Sequence, residues 1–141
     1  MRLLPPQGAA FVVLCIDVVV IVFGFLTGSP MLPRAANVVL TVISIAVLFG
    51  TLLWSKGGFG YDSIPSMWRL LRRRLPVWLI VAATIAFWGG VFLFAYPLLT
   101  VTDFGSLDET ANQRGWTGLA AAFASGSLFY AGIGRRAADS P

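Results

Sequence analysis

GAAFVVLCIDVVVIVFGFLT, residues 8–27, holds a single charged side chain, Asp17. A helix needs about 20 mainly apolar residues to cross a hydrocarbon core of about 30 Å, and this run has that length. Three more stretches qualify, at residues 35–54, 77–99 and 116–134. The last is the weakest, because Ala, Gly and Ser dilute it. Pro30 and Pro33 punctuate the first connection, Pro65 and Pro76 the second, and Asp103 and Gly105 the third. A cleaved signal sequence is the competing reading of the first run. It is too long for a 7–15-residue apolar core, carries Asp17, and lacks a clear A-x-A site.

The rest of the chain agrees. Among 141 residues, 57% are hydrophobic and 11% charged, against about 25% charged in ordinary globular domains. A soluble protein this small has too much surface for so few charges. The expected fold is therefore all-α, one domain over residues 1–141. It is an integral membrane bundle of four transmembrane helices, with a short amphipathic surface helix between the second and third.

Lys and Arg counts in the short loops orient it. Arg2, Lys56, Arg69, Arg72, Arg73, Arg74, Arg135 and Arg136 fall on one side, and only Arg34 and Arg114 on the other. The first side is the cytoplasmic one, so both termini are expected inside, in the cell membrane. Trp54, Trp78 and Tyr130 fall near inner helix ends, Tyr96 and Trp116 near outer ends, at the headgroup level such rings prefer. The net charge of +4 flanks apolar runs instead of forming a soluble basic face. The expected partner is anionic lipid, and nucleic acid is not expected.

Asp17 lies near the middle of the first span, where an ionised carboxylate is costly. No Lys or Arg lies inside any span. Asp17 is therefore expected as a neutral carboxyl donating to Thr41 or Ser44. Asn37, Thr41, Ser44 and Thr51 share one face of the second helix, and Ser125 and Ser127 on the fourth lie near the same depth. Such stripes are a packing device first and a conduction path second. Two rows of small residues, Ala82, Ala86, Gly90 and Gly118, Ala122, Gly126, let backbones approach closely, within the chain or against another subunit.

Between the second and third spans, Ile64, Met67, Trp68, Leu71 and Leu75 recur at helical spacing, with Arg69, Arg72 and Arg73 opposite and Arg74 beside them. Ser63 can cap this helix and Pro65 fits its first turn. It is expected to lie on the inner membrane surface as a lipid or partner surface. The preceding KGGFGY, residues 56–61, lacks the Lys-Ser/Thr ending of a phosphate loop.

Chemistry is poorly supplied. Histidine is absent, Cys15 is the one cysteine and is expected buried, and the outer acids Asp103, Asp108 and Glu109 are irregularly spaced. No catalytic residue, metal or cofactor is expected. The expected function is that of a non-catalytic accessory or assembly subunit of a larger membrane complex. The alternative is a small homo-oligomeric transporter or channel using Asp17.

Overall fold

The computed structural model describes residues 4–28, 33–55, 58–100 and 109–135. Five helices account for most of them. α1 is Pro5–Thr27, α2 Arg34–Trp54, α3 Ile64–Arg74, α4 Val77–Thr100 and α5 Glu109–Ile133. Pro5 and Pro6 stand in the first turn of α1, where a missing N–H costs nothing. The helix stops at Gly28, whose φ of 71° is left-handed. Ser63 caps α3, its hydroxyl accepting from the Ser66 N–H at 3.3 Å. Leu75, extended before Pro76, ends it. Among the described residues there is no strand, only an isolated bridge between Phe59 and Gly134.

The expected element boundaries differ at one place. α5 starts at Glu109, not near residue 116. Asn112, Gln113 and Arg114 lower the local hydropathy, yet none of them breaks a helix. They fill its second turn, and Gln113 turns into the protein, 7% exposed.

Cross-contacts fix the arrangement. Gln7 donates to the Leu128 carbonyl while Arg114 donates to the Gly24 carbonyl, so α1 and α5 run antiparallel. Asn37 bonds Gln113, and Ser55 lies against Gly134, so α2 runs parallel to α5. Gly90 faces Gly118 and Leu93 faces Gly115, which makes α4 antiparallel to α5. The start of α1, the end of α5 and the α2–α3 connection therefore share one end of the bundle. Tyr130 seals that end, its hydroxyl donating to Gly58 O at 3.2 Å and its ring against Phe59.

α1, α2 and α4 thus surround α5. Ala120, Ala121, Ala122, Ala124, Leu128 and Ala131 of α5 are buried, and small side chains are what a helix hemmed in by three neighbours accommodates. α1, α2 and α4 are long and apolar enough to cross a membrane. α5 is long enough, about 37 Å at 1.5 Å per residue, but is not among the helices apolar enough. Its faces meet protein, which asks for fit and not for oiliness.

Candidate functional site

Polar side chains inside the bundle cluster at one end and lie singly deeper in. At the end where α2 and α5 begin, Asn37 joins α2 to α5. Its Nδ2 donates to Gln113 Oε1 at 3.3 Å, and its Oδ1 accepts from the Thr117 hydroxyl at 2.8 Å. Arg114 lies beside this cluster. Its guanidinium donates to Gly24 O at 3.0 Å and stacks 4.4 Å over the Phe25 ring. A cation at the last carbonyls of α1 complements the negative end of that helix. Arg114 Nε is buried and has no hydrogen-bond partner; a gap of about 10 Å³ lined by Gly24, Asn37, Gln113, Arg114 and Thr117 adjoins it, room for about one water molecule.

Deeper in, Asp17, Ser44 and Ser125 are each fully buried. Interpolating between the Gln7–Leu128 and Gly24–Arg114 contacts sets Asp17 opposite α5 at about Ala120. The expected bonds from Asp17 to Thr41 or Ser44 are not formed. Thr41 donates to Asn37 O at 2.8 Å and Ser44 to Leu40 O at 3.0 Å. Ser125, Ser127, Thr51 and Ser55 likewise donate four residues back along their own helices. Such back-bonding satisfies a hydroxyl without any partner helix. Both Asp17 oxygens are buried and have no hydrogen-bond partner among the described residues.

The small-residue rows divide. Gly90 and Gly118 meet backbone to backbone: a Cβ on Gly90 would overlap the Gly118 carbonyl, and one on Gly118 would lie 2.8 Å from Gly90 O. Ala122 is buried at this seam, whereas Ala82 is exposed and Ala86 half-buried. Gly126 is half-buried near Phe87. Ala82 and Ala86 instead line an apolar groove of about 540 Å³ between α1 and α4, floored by Ala121.

On α3, Leu71 and Leu75 are buried against the bundle and Met67 packs on the same core. Trp68 stays exposed and shares an open concavity of about 490 Å³ with Pro65, Arg69, Arg72 and Arg73. Arg74 is half-buried and has a partner of its own, so it leaves that group. Cys15 is exposed, contrary to the buried position expected. Arg2, Lys56, Asp103, Asp108 and Arg136, with the side chain of Glu109, lie outside the described residues.

Three functional-looking side chains escaped the sequence reading. Gln7 is fully buried, accepting from Leu4 N at 3.1 Å and bonding Leu128 O. Gln113 and Thr117 form the outer cluster. A signal existed: polar residues spaced four apart at the edge of an Ala/Gly-rich helix. No family model, curated protein or solved structure matches the chain. What stands is the class: an all-α protein with three helices long and apolar enough to cross a membrane.

Proposed function

We propose that this is a four-span protein of the cell membrane, a non-catalytic accessory or assembly subunit of a larger membrane complex. α5 is the fourth span, traversing beside α1, α2 and α4. The eight-to-two Lys/Arg bias favours both termini and α3 on the cytoplasmic side. There α3 is a surface helix: Trp68 and Ile64 are exposed beside Arg69, Arg72 and Arg73, which suits anionic headgroups.

One observation carries the accessory reading. Trp78, Ile85, Trp88, Phe92 and Leu99 make an outward stripe on α4, and Trp88, near its midpoint, is 65% exposed. Its ring meets Phe87, but its indole N–H has no hydrogen bond among the described residues. Indole belongs at the headgroup level, and in hydrocarbon its N–H would have no acceptor. A neighbouring helix offering an acceptor would cover it. Asp17, by contrast, faces inward, so it is not the docking residue.

A photo-reactive residue at position 88 should crosslink, in intact membranes, to one protein of defined mass. The same residue at position 39 on α2, also outward, should label lipid. Equal lipid labelling at both positions would remove the accessory reading. The second reading, a small homo-oligomeric transporter or channel, draws on the enclosed carboxyl of Asp17. Proton flux in vesicles that is lost in Asp17→Asn would bring it forward.

A further inference from the structure

We infer that the groove between α2 and α5 holds an anionic, phosphate-bearing lipid of the non-cytoplasmic leaflet, its head at Arg34 and one tail along Val38 and Val42. The inference rests on the membrane reading above. The groove measures about 320 Å³ and is open on one side, at the small end of ligand pockets. That suits a headgroup and the upper part of one chain entering from the bilayer.

Its two ends differ in chemistry. Asn37, 4% exposed, and Gln113, 7% exposed, make a polar back wall, with Asn112 and Arg34 at the rim. Arg34 is exposed and makes no ion pair or hydrogen bond among the described residues. It also opens α2, whose N-cap Pro33 gives no side-chain cap and whose first turn holds no acid. The first N–H groups of a helix lack intrahelical acceptors and favour an anion. A guanidinium binds phosphate in the plane of its fork. Below that rim, Val38, Val42 and the Trp116 ring give an apolar wall. The described lining holds one cation, Arg34, and no carboxylate, a balance that favours a head of net negative charge over a zwitterionic one.

The test is native mass spectrometry of the purified, delipidated full chain in mild detergent, with dioleoyl phosphatidylglycerol, dioleoyl phosphatidylcholine or sodium phosphate added separately. Because the α3 arginines also attract anionic heads, the measurement is made in Arg69→Gln/Arg72→Gln/Arg73→Gln protein as well as in the parent. One phosphatidylglycerol should remain per chain in that variant, held about tenfold more tightly than phosphatidylcholine. Arg34→Gln, at an exposed site, should erase the preference, and Val38→Trp, filling the apolar wall, should lower retention of both lipids. Equal retention of the two lipids, or a preference unchanged by Arg34→Gln, overturns the inference. Phosphate alone binding at Arg34 and displacing the lipid would assign the site to a free anion instead. Recovery of the chain from the soluble fraction would fail the membrane reading itself, a separate result.

Discussion

Asp17 has both carboxyl oxygens shut away from solvent, without a donor or acceptor among the described residues. Leaving a buried polar group unpaired costs about 1–3 kcal/mol, so the residue is a liability to stability as the bundle stands. Asp17→Val, apolar and of similar size, is expected to be as stable as the parent or more stable by up to about that amount. Thermal unfolding in detergent measures it. A clear loss of stability would mean that the carboxyl has a bonding partner. The sequence points to Thr41 or Ser44 as its partners, and neither bonds it. Thr41 and Ser44 could each reach across or back-bond to their own helix, and residue spacing does not choose between the two.

α5 shows how an element can be central and yet inconspicuous. Its Ala, Gly and Ser content lowers its hydropathy, and the same small side chains let α4 approach to backbone contact at Gly90 and Gly118. Gly118→Val should cost about 1–3 kcal/mol or more, because Cβ has no room there. Ala82→Val, on an exposed position of the other small-residue row, should stay within about 0.5 kcal/mol. Comparing the two melting curves tests whether the seam runs inside the chain; equal effects would say it does not. Arg114 belongs to the same element. Arg114→Ala should destabilise by about 1.5–3 kcal/mol through the lost charged hydrogen bond to Gly24 O. Arg114→Lys should recover only part, since an ammonium cannot both stack on Phe25 and bond the carbonyl in the guanidinium's geometry. Full recovery by Lys would contradict that account.

At the scale of the molecule, the α1 start, the α5 finish and the α2–α3 connection share one end of the bundle, and the four-span proposal puts that end in the cytoplasm. In a Cys15→Ala background, cysteine at Ser106 should react with an impermeant thiol reagent in intact cells, and cysteine at Ser66 should not. The reverse pattern would invert the protein in the membrane. Helix type and, except for the start of α5, helix extent within a few residues were legible from the chain. Each is a sum of local terms over about 20 residues, and such sums tolerate errors at single positions. Which helix stands at the centre, which half of each small-residue row makes the seam, and where Asp17, Arg114 and Cys15 point were decided only by the tertiary structure. α1 and α4 are apolar nearly all round, so hydropathy does not mark an inward face on them. Lipid is as apolar as a leucine side chain, so no hydrophobic force turns such a helix about its axis. Its rotation is set by shape and by a few polar contacts, and those exist only once the helices have met.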